Sequence, residues 1–221
     1  MCGIKKTTAI LKTGLVAIFF CFVFCDNGVD VVTPEVTTFV DGRDGKTYKK
    51  VKIGSQIWMA ENLNYEADGS KCFEGYGYGQ RTPDQYCEEY GRLYDWQTAM
   101  DYRTSSDAVP SGVKGVCPVG WHLPSDAEWQ VLIDYVGINA GTKLKSRTFK
   151  GNNELQIPDG TDKYRFSALN GPWASRWWSA TELVSDEEMA RFSYVIDVNV
   201  EAGRSYINKH ENFSSVRCVH D

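Results

Sequence analysis

The sequence predicts an α+β fold with small antiparallel sheets, and three observations carry that expectation. Strand-like alternation occurs near both ends of the chain: partial over Lys46–Ile53, strict at Phe192, Tyr194, Ile196, Val198 and Val200. The best helical stripe, Trp129, Leu132, Ile133 and Val136, lies between those ends at i, i+3, i+4, i+7 spacing. Twenty glycines with seven Trp and twelve Tyr point to a turn-rich, aromatic-packed domain and not a helical bundle. Strands at both ends with helices in the middle argue against a doubly wound sheet.

Taken in order, Lys46–Ile53 is the first strand, Gly54-Ser55 its turn and Gln56–Ala60 the returning strand. Gly91–Tyr94 is a short strand, and Asp95 caps a helical turn over Trp96–Tyr102. Ser105–Gly115 is loop. Ser125 and Glu128 form a capping box, in which the Ser oxygen accepts a first-turn amide and the Glu reaches back. Gly137 ends that helix, and Gly141–Ser146 is a second, shorter one. Phe166–Leu169 and Trp177–Thr181 are short strands. Glu201-Ala202-Gly203 turns the Phe192–Val200 strand into a partner at Arg204–Lys209, and Ser215–Val219 closes the fold.

The first 25 residues differ from the rest. They hold three lysines (Lys5, Lys6, Lys12), no Asp or Glu, and three of the seven cysteines. The chain's 24 basic side chains, less those three, leave 21 against 29 acidic ones beyond residue 25. Lysines followed by the apolar run Leu15–Cys25 read as the charged and hydrophobic regions of an export signal. The run is shorter than the roughly 20 residues a membrane span needs. Its end at Cys25, before Asp26-Asn27-Gly28, resembles a bacterial lipoprotein signal, with Cys25 the acylated residue, although Phe24 stands where a small residue is usual. Residues 26–40 are expected to be an extended tether and 41–221 the domain. The expected location is extracytoplasmic, anchored to the membrane by lipid. The alternatives are an uncleaved signal anchor and secretion by ordinary cleavage, and all three place Asp26 onward outside the cytoplasm.

Four cysteines remain beyond the signal: Cys72, Cys87, Cys117 and Cys218. An even set in an exported chain reads as disulfides, and four allow three connectivities. Cys72–Cys87 with Cys117–Cys218 is favoured, because the first encloses a Gly/Tyr-rich stretch with little apolar material of its own. No CxxC occurs, and neither His122 nor His210 has ligand spacing from a cysteine pair. An acidic domain without a Lys/Arg cluster also lacks the cations that displace counterions from nucleic acid.

Eight blocks in order resemble a known family. They are Asp44–Tyr48, Ile53–Leu63, Tyr90–Tyr94, Cys117-Pro118-Val119-Gly120-Trp121-His122-Leu123-Pro124 with its helix start, Gly160–Asp162, Phe166–Leu169, Trp177–Glu182 and Ser215–Val219. The family is the Fibrobacter succinogenes major paralogous domain, exported and often lipid-anchored bacterial surface proteins. The resemblance spans Asp41–Asp221. It implies a C-type-lectin-like fold, shared with the formylglycine-generating sulfatase modifiers, with the chain ends together in a sheet and a long loop region bearing any ligand site. It brings no established activity. Related sequences carry a longer Gly-rich insert where this chain has only Asn170–Arg176.

The candidate ligand-binding residues are aromatic: Tyr76, Tyr78, Trp173, Trp177 and Trp178, whose rings could stack on the apolar faces of sugars. Core packing is the competing reading for Trp177 and Trp178. The oxygen ligands a calcium ion could use are Asp159 and Asp162, with Glu154 nearby, but a polar turn explains the same residues and no metal or other cofactor is expected. No catalytic residue is expected, since sulfatase-modifier chemistry needs reactive thiolates and every mature cysteine has a structural assignment. His122, between Trp121 and Leu123, is expected to be a hydrogen-bonded structural histidine. The expected function is binding or adhesion at the cell envelope. A polysaccharide or other glycan is the leading partner, a second envelope protein the alternative, and an enzyme related to the sulfatase modifiers the third.

Overall fold

The computed structural model describes residues 33–74, 81–148, 159–169, 175–194 and 201–221. The export segment, Cys25, Tyr76, Tyr78, Glu154 and Trp173 lie outside the described residues.

The fold is α+β. Strands β1 (Val36–Val40), β2 (Thr47–Ile53), β3 (Gln56–Met59), β4 (Trp121–His122) and β8 (Val219–His220) form one antiparallel sheet in the order β1-β2-β3-β8-β4. A second sheet holds β5 (Arg176–Leu183), β6 (Asp186–Tyr194) and β7 (Gly203–Asn208) as an antiparallel meander. The helices are α1 (Pro83–Tyr90), α2 (Trp96–Met100), α3 (Asp126–Val136) and α4 (Ala140–Leu144). Among the described residues, no helix is long and apolar enough to cross a membrane.

Several local expectations hold at atomic level. Gly54-Ser55 makes the two-residue turn between β2 and β3, with Gly54 at φ +61°. A Cβ there would come within 2.9 Å of the Tyr135 ring, so the turn and α3 approach only because the residue is glycine. Asp95 accepts the Thr98 amide at 2.7 Å and caps α2. At α3, Ser125 Oγ accepts the Glu128 amide at 3.1 Å and the Glu128 carboxylate accepts the Ser125 amide at 3.0 Å, completing the box.

Several elements differ from expectation. The late hairpin pairs in another register than a turn at Glu201-Ala202-Gly203 would give: β6 begins at Asp186, Phe192 pairs with Ser205 and Tyr194 with Gly203, so Gly203 opens β7, while Ile196, Val198 and Val200 lie outside the described residues. The stretch read as tether ends in β1, which pairs with β2 from Val36↔Val51 to Val40↔Thr47, so the folded unit begins before residue 41. Helix α1 arises where no element was expected, on a second capping box of Thr82 and Gln85 with Pro83 at its first position. Conversely, Leu93, Tyr94 and Ala168 make only single bridges where short strands were expected.

Period-2 alternation divides the apolar residues between two cores. Trp58 and Val219 face one, with Trp129, Leu132, Val136, Phe166 and Trp177; Met59 and Cys218 face the other, with Tyr94, Trp96, Trp121, Leu123 and Trp178. The adjacent pair Trp177-Trp178 on β5 therefore serves both cores, one ring each. In the first, Trp129 stacks on Trp177 at 5.6 Å and lies 4.5 Å from Trp58, while Phe166 meets Trp177 edge-on at 5.5 Å. The guanidinium of the fully buried Arg217 lies 4.2 Å from the Phe166 centroid.

Among the described residues, two disulfides complete the frame. Cys72–Cys87 ties the chain before the Gly/Tyr-rich segment to α1, and Cys117–Cys218 ties the approach to β4 to the approach to β8.

Candidate functional site

Three of the expected candidates belong to the interior. Trp177 and Trp178 are both completely buried. Their indole N–H groups donate inward, to Asn62 Oδ1 at 2.8 Å and the Tyr94 carbonyl at 2.7 Å. Neither presents a ring face to solvent, which corrects their reading as stacking residues. Asp162 is also buried, and its carboxylate oxygens accept the Ser167 amide and hydroxyl, each at 2.8 Å. Asp162 thus has an internal role in its turn, while Asp159 is exposed. Among the described residues no group of three or more His, Cys, Asp or Glu side chains is placed to hold a metal.

His122 is a structural hub. Its Nε2 lies 2.9 Å from Glu128 Oε1 and its Nδ1 2.8 Å from Asp221 Oδ1, which joins β4, α3 and the segment after β8. The other Glu128 oxygen accepts the amides of Ser111 and Ser125. Burial opposes the imidazolium, but hydrogen bonds and charge from Glu128 and Asp221 outweigh it and raise the His122 pKa. A raised folded-state pKa means protonated His122 stabilises the fold at pH below its ordinary 6.5. That contribution is lost as pH rises through the higher folded value. The urea midpoint should therefore fall as pH increases above 6.5, and His122→Asn should flatten that slope. A slope unchanged in the variant would contradict the assignment.

Surface depressions occur on either side of the Cys72–Cys87 bridge. One, of about 530 Å³, includes Cys87, Lys46, Lys49, Glu61, Asn62 and Tyr90 in its lining. Its charges are largely satisfied internally, Lys46 by Asp44 and the Asn64 carbonyl, Lys49 by Glu61. The other, of about 350 Å³, includes Cys72 and Leu93 and is walled by Phe73 and Phe213, with Lys71, Glu74, Arg176 and Asn212 around them. Both volumes fall within the roughly 300–1,000 Å³ of small-ligand sites.

The second depression is built by topology. Single bridges of Lys71 with Leu93, Tyr94 with Ser214, and Ser215 with Trp177 lay separate stretches of chain side by side. Phe73 is braced edge-on against Tyr86 of α1 at 5.4 Å, and the disulfide holds that helix in place. Across the groove Phe213 carries the Lys71 ammonium 3.4 Å from its ring centroid. Arg176, at the start of β5, donates from Nε to Ser214 Oγ at 3.1 Å and from Nη2 to the Phe213 carbonyl at 3.0 Å. Burial lowers its pKa to about 10. Phe73, Phe213 and Arg176 are each half-buried, while Lys71 and Glu74 are exposed. Two rings with polar groups between them can receive the C–H faces and the hydroxyls of a saccharide together.

None of these groove residues was among the expected candidates. The one local signal was position: Glu74 directly precedes the segment of Tyr76 and Tyr78, and Ser175-Arg176 directly follows that of Trp173.

Comparison with known proteins gives one finding. A family model described as the Fibrobacter succinogenes major domain matches residues 51–220. No curated protein and no solved structure matches the chain.

Proposed function

Because the chain belongs to the Fibrobacter succinogenes major domain family, we propose that it is an exported, envelope-anchored binding domain whose ligand is a glycan. The observation that carries this reading is the groove walled by Phe73 and Phe213, with Asn212, Lys71, Glu74 and Arg176 as polar flanks. Export is supported by the residue 1–25 signal pattern, with Cys25 as its lipid attachment point, and by two disulfides of the kind that persist in oxidising compartments. The C-type-lectin-like assignment draws support from β8 inserting between β3 and β4, which brings early and late chain into one sheet. A binding role is preferred to sulfatase-modifier chemistry because all four cysteines beyond the signal are paired.

A second reading, recognition of another envelope protein, rests on one exposed patch. Tyr135 meets Tyr164 edge-on at 5.9 Å, and the neighbouring Ile138 is largely exposed.

The test is a binding screen of the full chain, in detergent, against glycans and cell-wall polymers with and without a chelator. Chelator-insensitive binding is expected, reduced at least tenfold by Phe213→Ala and unchanged by Tyr135→Ala. Absence of binding in both conditions would sink the glycan reading. Binding lost with Tyr135→Ala but kept with Phe213→Ala would move the site to the α3 surface.

A further inference from the structure

The sheet edges are protected unequally. Beside β5, the Ser106 amide donates to the Ala180 carbonyl, and Ser215 exchanges backbone hydrogen bonds with Trp178 and Arg176, so other stretches of chain cover that strand. Strand β7 carries Arg204. Strand β1, at the end of the five-stranded sheet, has neither kind of cover. Among the described residues it pairs only with β2, in a continuous register without a bulge. Its residues, Val36-Thr37-Thr38-Phe39-Val40, include no charge and no proline, and four of the five are β-branched. Natural edges are commonly guarded by lysine, proline or a bulge, because an open row of N–H and C=O groups is a template for another strand.

The outward-facing backbone groups follow from two hydrogen bonds. The Asp41 amide donates to the Lys46 carbonyl at 2.8 Å, on the β2 side, and the Lys49 carbonyl turns away from β1 to accept the Ala60 amide at 2.8 Å. Alternation along an antiparallel ladder then directs Thr37 and Phe39 toward β2. It leaves the N–H and C=O groups of Val36, Thr38 and Val40 pointing away from the sheet. The same three residues are exposed, Val40 by 62%.

These positions are symmetric about Thr38. A second β1 laid antiparallel, with Thr38 opposite Thr38, sets each Val36 against the Val40 of the other copy. Every opposed pair can then exchange two hydrogen bonds, and each exposed valine is covered by another. A shift of two residues instead sets Val40 opposite Pro34, which has no N–H, or Val36 opposite Gly42 in the following turn. No like charges meet within the paired stretch. Just outside it, Glu35 comes level with Asp41 of the other copy, whose carboxylate is already held by Arg43 at 2.6 Å.

We propose that β1 is a self-association edge: two copies of this chain pair antiparallel through Val36–Val40 about a two-fold axis at Thr38, joining their sheets into one. The proposal is independent of the glycan-binding reading. So short a ladder buries less than the roughly 800 Å² per partner of a standard interface, so the dimer should depend on concentration.

The test combines cysteine crosslinking with sedimentation of the full chain in detergent. Residues opposed in a hydrogen-bonded pair lie about 5.5 Å apart at Cα, inside the roughly 4.4–6.8 Å range of a disulfide. Thr38→Cys should therefore give a disulfide dimer under mild oxidation, joined 38 to 38 in the peptide map. Val36→Cys and Val40→Cys should crosslink weakly alone and strongly when the two variants are mixed. Wild type should sediment as a concentration-dependent dimer. Thr38→Lys, which opposes two ammonium groups at an exposed position, should weaken that dimer by about tenfold or more without changing the Tm. A monomer at every concentration, with no 38-to-38 link, overturns the proposal. A dimer that Thr38→Lys leaves intact also overturns it, by placing the interface elsewhere. Links from position 38 only to Cys2, Cys21 or Cys25 overturn it as well, by giving the edge to the N-terminal segment.

Discussion

Replacing Cys117 and Cys218 together by alanine should lower the unfolding free energy by about 4–5 kcal/mol, against about 3 kcal/mol for the Cys72, Cys87 pair. The difference follows from loop length: the first bridge closes a sequence separation of 101 residues, the second one of 15. A crosslink acts largely by restricting the unfolded chain, and the restriction grows with the logarithm of the loop. Position reinforces the order. Cys117 and Cys218 are completely buried among Met59, Trp121, Leu123 and Val216, and the Cys218 carbonyl accepts the Met59 amide at 3.0 Å. Cys72–Cys87 instead holds one helix at the groove. Guanidinium midpoints of the two double variants check this. A larger loss from the Cys72, Cys87 pair would show that local restraint of α1 outweighs loop closure.

Asn62→Ala should cost about 3–5 kcal/mol, an outsized effect for a small polar side chain. Asn62 lies in the segment after β3 and is 5% exposed. Its Oδ1 accepts from Trp177 Nε1 and from Arg217 Nε, both at 2.8 Å, and its Nδ2 donates to the Tyr90 carbonyl at 2.8 Å. Removing the amide strands a buried indole N–H and one donor of a buried cation, and each unsatisfied buried group costs about 1–3 kcal/mol, more if charged. Arg217 cannot readily relocate: its other nitrogens donate to the carbonyls of Phe166 and Ser167, and burial already lowers its pKa to about 9. Asn62→Asp keeps an acceptor for both donors and adds a charge opposite Arg217 while losing the bond to Tyr90. It should cost less than Asn62→Ala. If the two variants prove equally unstable, the bonds that Nδ2 donates to the Tyr90 carbonyl and Ser215 Oγ, and not the two donors to Oδ1, are what Asn62 contributes.

What could be read from the sequence was local. The Ser125/Glu128 box, the Asp95 cap and the Gly54-Ser55 turn each have their signal within a few residues of the element they specify. Strand β1 was obscured because, among its five residues, only Phe39 is even half-buried, so no alternation marks it. Helix α1 was legible in principle: Thr82, Pro83 and Gln85 are a start signal, but a polar segment with only Tyr86 and Cys87 buried gives little apolar stripe. The two tryptophans of β5 were ambiguous for a geometric reason. Adjacent residues on a strand face opposite sides, so a Trp-Trp pair suggests one exposed ring until a second core is known to exist.

The site itself was the least legible part. Its walls come from residues 71–74, 176 and 211–213, segments brought together by isolated bridges that leave no periodicity. The Asn62–Arg217 contact, at a separation of 155 residues, is equally invisible along the chain. Resemblance to the family pointed to the right fold class but carried no ligand residues to this position.

Hydrogen exchange of the full chain, with and without a glycan that binds in the screen, tests directly whether ligand occupies the groove. Slowed exchange should appear at Lys71–Glu74 and Glu211–Phe213 and be absent around Gly54 and Tyr135. Protection confined to the Gly54 and Tyr135 surface, with the groove amides unchanged, would contradict the assignment.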